Sequence, residues 1–463
     1  MKKLLIVANP FPPMASAGSA RLLRFLRHLP EHGWQATVLA PRAQGPEPVP
    51  PGVRVVRCAA PNLESLYAAA RHALATKERL VRRHRPGGAA AGGPAGGAPA
   101  GDEPAGKEPA ESVTAAGRPA GSGPAGSASV GSEPAVQPQA ARRPRSAAVN
   151  DWLALPDAYL GWVLPAVHCG GRLVGGEHFD ALLSSSPRPS VHLIAAELSR
   201  RHGLPWLADY RDPWTTNQFR HYPTAWHEAG DARLERHALR RATALTAVNQ
   251  PMLDVLVSRH PQLAGCAHVL PNGFDPDEAA ADVTLGPGFW LVHTGRLYGR
   301  EQQTSAFLRA FATLPEDVHV LFVGAAGGRL GTEAAALGMS ERVRIEPYAL
   351  HALALGYQRA ADALLLVNGR RPESMSSKVY EYLASRRPVF AISPAGSAAR
   401  SLFAEVGGAQ CVLPDDDMAA PLAAFVASVR AGMIAVADEA SLARFDAGAL
   451  TRQLATLLDG ITT

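Results

Sequence analysis

Glu373 and Glu381 stand eight residues apart, with three serines and a lysine between them, in Pro372-Glu373-Ser374-Met375-Ser376-Ser377-Lys378-Val379-Tyr380-Glu381. Carboxylates accept hydrogen bonds from hydroxyls, while a lysine and free backbone N–H groups attract anions. An apolar run at 363–367 precedes the stretch and reads as a buried parallel strand. A second apolar run follows at 388–392, and 378–386 reads as a helix with Val379 and Leu383 on its inner face. Ser376 and Ser377 then fall at the helix N-terminus, where the backbone and the helix dipole favour a group such as a diphosphate. One carboxylate lies before that anion site and the other about one turn into the helix. The pair could grip hydroxyls on both sides of a diphosphate, as a nucleotide-sugar pocket requires. The plainer reading is a loop charge, a solvated helix face and ordinary caps.

The surrounding elements favour the first reading. Short apolar strands alternate with helical patterns: 4–8, a basic helix from Arg21, 36–40, 53–57, 181–184, a helix at 190–201, and 206–208. A helix at 231–242, a strand at 244–248, a helix at 251–259 and a strand at 268–270 complete the first series. The pattern restarts at 290–293 with a helix at 303–313, a strand at 318–323, a helix at 331–337, a strand at 343–346 and a helix at 350–360. Such alternation predicts doubly wound parallel sheets. We therefore expect a first domain over 1–283, a second over 284–440, and a terminal amphipathic helix within 441–463 that could pack back on the first. Ligands in these folds lie at the carboxyl ends of strands, so the cleft between the halves is the default site.

Residues 87–148 contain no Leu, Ile, Phe, Tyr or Trp. That composition cannot bury enough apolar surface to fold and predicts a disordered insertion in the first domain. The rest of the 463-residue chain suits two α/β domains. A mean hydropathy of −0.04 and the lack of any membrane-length apolar run describe a soluble protein. The basic start and short apolar run at the N-terminus end too early, at Asn9-Pro10, for a signal peptide. A cytoplasmic location follows as an expectation. The net charge of +5 comes without an aromatic-interleaved basic motif, so nucleic acid is not an expected partner. The basic helix from Arg21 could rest on an anionic membrane face, although a core-facing helix with a solvated basic side fits it better. Cys58, Cys169, Cys266 and Cys411 are scattered without metal-ligand spacing and read as reduced, buried residues. Asp415-Asp416-Asp417 reads as solvated loop charge and Gly324-Ala325-Ala326-Gly327-Gly328 as a loop. No metal or other cofactor is expected.

Several segments, in order, resemble the GT-B fold glycosyltransferases, and within them family 4. Asn9-Pro10-Phe11-Pro12-Pro13 with Gly18 resembles the opening strand and small-residue loop that approaches the donor. Ser184-Ser185-Ser186-Pro187, His192 and Asp209-Tyr210-Arg211-Asp212-Pro213-Trp214 resemble a signature of one branch of the family. The resemblance implies His192 close to the reacting sugar; Asp209, Arg211 and Asp212 read equally as cleft groups on the acceptor side or as a buried structural pair. Pro271-Asn272-Gly273 resembles the interdomain segment and reads as a turn in which Asn-Gly supplies positive φ. His293-Thr294-Gly295-Arg296 resembles the diphosphate-binding glycine-arginine pair, but Glu301 holds the usual lysine position. Arg300 or Lys378 would then supply the second positive charge. The opening stretch resembles the family's E-x7-E. By that resemblance Glu373 contacts sugar hydroxyls, Glu381 the ribose, Ser376, Ser377 and Lys378 the phosphates, and Tyr348 the base.

The resemblance implies transfer of a sugar from a nucleoside-diphosphate sugar to a glycan or glycolipid hydroxyl, with retention at the anomeric carbon and without a metal. Catalytic roles would fall to His192, Glu373, Arg296 and Lys378. A non-catalytic scaffold that binds a nucleotide sugar is the alternative, and Glu301 is its main support. An epimerase of similar two-domain fold is disfavoured by the segment at 209–214 and by the E-x7-E.

Overall fold

The computed structural model describes residues 1–14, 19–45, 48–61, 152, 155–217, 220–297, 301–325, 327–373 and 375–462. The insertion expected at 87–148, Gly18 and Arg300 lie outside the described residues.

Near-continuous apolar runs such as Leu4-Leu5-Ile6-Val7, each 0% exposed, belong to strands covered on both faces. Two parallel sheets follow from them. The first contains β1 (Lys2–Ala8), β2 (Trp34–Pro41), β3 (Arg54–Cys58), β4 (Ala181–Ser185), β5 (Trp206–Tyr210), β6 (Ala244–Ala247) and β7 (Ala267–Val269), in the order 3-2-1-4-5-6-7. The second contains β8 (Phe289–Thr294), β9 (Val318–Val323), β10 (Val343–Glu346), β11 (Ala363–Val367), β12 (Val389–Ile392) and β13 (Ala409–Val412), in the order 10-9-8-11-12-13. This is the doubled Rossmann-like layout that the alternation predicts.

The first sheet is flanked by α1 (Ala20–His28), α2 (Leu160–Gly176), α3 (Ser190–His202), α4 (Ala225–Leu239) and α5 (Gln250–Arg259). The second carries α6 (Glu301–Phe311), α7 (Gly327–Ala336), α8 (His351–Ala360), α9 (Lys378–Ala384), α10 (Ala398–Val406), α11 (Ala419–Arg430) and α12 (Glu439–Leu442). The last helix, α13 (Ala447–Thr462), returns to the first sheet. Its Leu450, Leu454 and Leu458 share a core with Leu4, Ile6, Leu22 and Leu26.

Outgoing and returning chain run side by side where the halves join. The Phe274 N–H donates to the Phe445 carbonyl at 3.1 Å, and the Ala447 N–H to the Phe274 carbonyl at 2.9 Å. Here the expected Asn-Gly turn is corrected, because neither Asn272 nor Gly273 has positive φ. Gly273 is needed for space instead: a Cβ there would stand 2.2 Å from the Phe445 carbonyl oxygen.

Other departures have local causes. The helix α2 escapes a propensity reading because Pro165 and five glycines interrupt its pattern. Gly170 is nevertheless required, since a Cβ there would meet Leu198 of α3 at 2.7 Å. The helix α4 starts six residues before the expected 231, where Thr224 provides the N-cap. The glycine run at 324–328 is not wholly loop, since α7 begins at Gly327. The elements α10, β13 and α11, absent from the sequence reading, complete the second sheet.

Truncating Leu454, fully buried between α13 and the first sheet, creates a cavity. We expect Leu454→Ala to lower the unfolding free energy by about 2–5 kcal/mol in a urea titration.

Candidate functional site

Both sheets reverse strand order once, between β1 and β4 and between β8 and β11. Crevices open where the loops on either side of such a reversal part. In the second sheet these loops follow Thr294 and Val367. They carry Arg296, which is exposed, and the stretch that holds Glu373, Ser376 and Lys378.

The start of α9 is seated by its own side chains. Ser377 occupies the N-cap but makes no side-chain cap bond. Ser376 Oγ instead accepts the Lys378 N–H at 3.4 Å, and Asn368 Oδ1 accepts the Ser376 N–H at 3.4 Å. Further along α9, Tyr382 Oη accepts the Thr294 N–H at 2.9 Å, tying the helix to the end of β8. Lys378 then lies across Gly295, whose φ is 105°. A Cβ at Gly295 would stand 2.1 Å from Lys378 Cε, so any larger residue would evict the lysine. Tyr348, 54% exposed, follows β10, and the neighbouring Glu346 and Pro347 carbonyls accept the Gly324 N–H. Lys378, Gly295 and Gly324 thus converge at the strand ends.

Glu381 is buried and answers to charges from both halves. Arg24 of α1 reaches its Oε1 at 3.4 Å, and Gln358 Nε2 lies 3.5 Å from its Oε2. Burial pushes the carboxyl up, but the fields of Lys378, His351 and Arg24 outweigh it and hold the group below its ordinary value. Arg24 also pairs bidentately with Glu278, at 2.9 and 2.8 Å, and His351 Nε2 lies 2.9 Å from the same carboxylate. Burial opposes ionisation of Glu278 as well; bonds from His351 and Arg24 bring it down to about 2.

Arg24 is the middle member of a row on α1. Arg21 bonds the Asp209 carboxylate at 3.0 Å and the Leu270 carbonyl at 2.8 Å. Arg27 pairs with Asp275. The helix faces the core through Leu22, Phe25 and Leu26 as expected, and the expected solvated basic side is corrected at Arg21 and Arg24, while Arg27 is exposed. Arg21 is 6% and Arg24 4% exposed, because carboxylates on β5, the linker and α9 draw them inward.

Glu373 is half-buried, and its carboxylate stands 3.6 Å from Arg371. Its backbone carbonyl accepts a bond from Asn249 Nδ2 of the first half at 3.1 Å.

On the first sheet the candidates separate. Asp209 is internal: Ser185 Oγ donates to it at 2.7 Å and Thr246 Oγ1 at 2.9 Å, beside Arg21. Burial opposes its ionisation, yet Arg21 and these donors keep it below the ordinary carboxylate value. The buried-pair reading holds for Asp209, with Arg21 as the partner. Arg211 and Asp212 stand past the end of β5, where Ser186 Oγ accepts both backbone N–H groups, at 2.8 and 3.2 Å. Asp212 is open to solvent but crowded by protein, and that desolvation raises its carboxyl.

The structure does not bring His192 to the cleft surface. It is 0% exposed, its Nδ1 lies 2.8 Å from Ser184 Oγ, and its ring stacks on Tyr210 at 4.5 Å. Its Nε2 is among the buried atoms without a hydrogen-bond partner.

Among the described residues no group of three or more His, Cys, Asp or Glu is placed to hold a metal ion. Asp415 pairs with Arg370 at 2.9 Å, whereas Asp416 and Asp417 accept the Leu413 and Ala419 N–H groups. Asp415 thus touches the loop after β11, and all three carboxylates are exposed, as the reading of solvated loop charge expects. No helix is long and apolar enough to cross a membrane among the described residues.

Arg24, Glu278, His351, Gln358 and Asn249 belong to the site and carry no motif. A faint signal existed for Arg24, spaced three residues from Arg21 and Arg27 on one helix.

The buried His192 gives a pH test. Desolvation lowers its pKa to about 4. The unfolded state therefore binds more protons between pH 6.5 and 4, and folding stability falls as pH drops through that window. We expect a loss of roughly 3 kcal/mol from this group. His192→Gln should flatten that segment of the stability–pH curve in denaturant titrations.

Residues 130–278 match the model of Glycosyltransferase Family 4. No curated protein matches the chain. Among solved structures, the Anabaena protein HepE in complex with UDP is similar at a TM-score of 0.60 and 14% identity, covering 99% of this chain and 100% of that one. HepE in complex with UDP-glucose gives 0.57 at 16% identity, with the same coverage of 99% and 100%. Sucrose-phosphate synthase from Thermosynechococcus elongatus gives 0.56 at 14% identity, covering 100% of this chain and 96% of that one. WaaG, a glycosyltransferase involved in lipopolysaccharide biosynthesis, gives 0.56 at 11% identity, with coverage of 99% and 98%. The chain thus has the GT-B glycosyltransferase fold, and its segment 130–278 carries the match to glycosyltransferase family 4.

Proposed function

We propose that the chain is a glycosyltransferase that moves a sugar from a nucleoside-diphosphate sugar to a hydroxyl acceptor. The observation that carries this reading is Lys378 laid across Gly295 beside Glu381, at the strand-order reversal of the second sheet. A diphosphate in that crevice meets Lys378 and, from the loop after β8, Arg296. The ribose falls to Glu381, the base to the exposed Tyr348, and the sugar to Glu373. UDP and UDP-glucose in the HepE complexes support a nucleotide-sugar ligand for this fold.

In the reaction the acceptor oxygen attacks the anomeric carbon as the bond from that carbon to the diphosphate breaks. The diphosphate leaves with the bonding electrons, and the acceptor proton passes to one of its oxygens. The protein has to stabilise the negative charge that grows on the leaving group, which is the task of Lys378 and Arg296. It must also hold the acceptor against the anomeric carbon. Arg211 and Asp212, past the end of β5, are the candidates on that side. Retention of configuration, metal independence and a role in bacterial surface polysaccharide rest on the family resemblance. His192 has no part in this proposal, since its ring is enclosed by Ser184 and Tyr210. Lys378 offsets Glu301 at the usual lysine position, which weakens the scaffold reading.

Titration calorimetry with UDP-glucose tests the assignment. A charge-assisted bond is worth about 1.5–3 kcal/mol, so Lys378→Ala should weaken binding roughly 10- to 150-fold. Glu381→Gln should weaken it as well. Wild-type affinity in both variants, or no nucleotide sugar bound from a panel of bases and sugars, overturns the proposal.

A further inference from the structure

Asn249 follows β6 and caps α5. It is 5% exposed, and its two amide atoms face different halves of the molecule. Oδ1 accepts the Met252 N–H at 2.9 Å, closing the first turn of α5. Nδ2 donates to the Glu373 carbonyl at 3.1 Å, across the cleft. The opposite amide orientation would set NH2 against an N–H and oxygen against oxygen, so the partners fix the assignment. A second strut lies beside it, where Arg371 donates to the Thr216 carbonyl at 3.1 Å. Helix capping alone does not demand an amide, since aspartate, serine and threonine cap as well. The bond to Glu373 does demand a donor.

We propose that Asn249 is a positioning residue for the sugar end of the donor site. It transmits the placement of the first half to the loop that presents Glu373, so the sugar contact is set only while the halves hold this register. The inference rests on the reading of Glu373 as a sugar contact given above. Loss of the bond leaves the nucleotide-binding groups Lys378 and Glu381 in place and loosens Glu373 alone.

The test exploits the two roles of one side chain. Asn249→Asp keeps the capping acceptor and loses the donor, whereas Asn249→Ala loses both. Hydrogen exchange over 368–378 reports the loop directly, and calorimetry with UDP and UDP-glucose separates nucleotide from sugar. For Asn249→Asp, which keeps the cap, we expect a melting temperature above that of Asn249→Ala, exchange about three- to tenfold faster, and UDP-glucose bound more weakly by a similar factor with UDP unchanged. Asn249→Ala should in addition melt lower. Wild-type exchange and UDP-glucose affinity in Asn249→Asp overturn the proposal, as does equal weakening of UDP and UDP-glucose. If the wild type binds neither ligand, the donor-site reading fails. The exchange arm still decides whether Asn249 holds the loop, and unchanged exchange refutes that.

Discussion

Burying a guanidinium is tolerable when carboxylates and carbonyls meet its donors, and α1 buries two in succession. Removing one partner of such a pair strands a charge in protein and typically costs about 3–5 kcal/mol. Arg21 therefore fixes α1 to Asp209 at the end of β5 and to the Leu270 carbonyl. Arg24 fixes the same helix to Glu278 on the linker and to Glu381 on α9. The row joins three elements: the first sheet, the segment between the halves, and the helix that carries Glu381. The returning α13, packed on α1, locks the arrangement from outside.

Within the second half, the motif gains its geometry from the change of element between its two glutamates. Glu373 sits on a loop that can be reached from the first half, while Glu381 is carried inward by α9. Tyr382 holds that helix to β8, which places Lys378 over Gly295. The missing side chain at 295 and the lysine at 378 are complementary, and neither is informative alone.

The strands were legible because parallel strands buried on both faces must be apolar throughout, as at 4–8, 318–323 and 363–367. The site was legible where chemistry is concentrated in one short stretch, as at 373–381. It was not legible where partners come from distant segments. Asn249 and Glu278 acquire meaning only once β6 and the linker are brought against α9, and nothing local marks them; Arg24 is marked only by its spacing from Arg21 and Arg27. The helix α2 was hidden by its own packing requirement: the glycine at 170 that lowers helix propensity lets α3 approach. His192 shows the converse difficulty. A histidine early in a helix has the chemistry of a catalyst, but burial against Tyr210 and Ser184 is a property of the fold that no spacing reveals.

The central claim is that a nucleotide sugar seats at the β8/β11 reversal, between Lys378 and Glu381. A crystal structure with UDP-glucose tests it most directly. The account predicts a diphosphate oxygen within hydrogen-bond distance of Lys378 Nζ and ribose hydroxyls on the Glu381 carboxylate. A nucleotide bound elsewhere, or bound in that crevice with both side chains untouched, would contradict it.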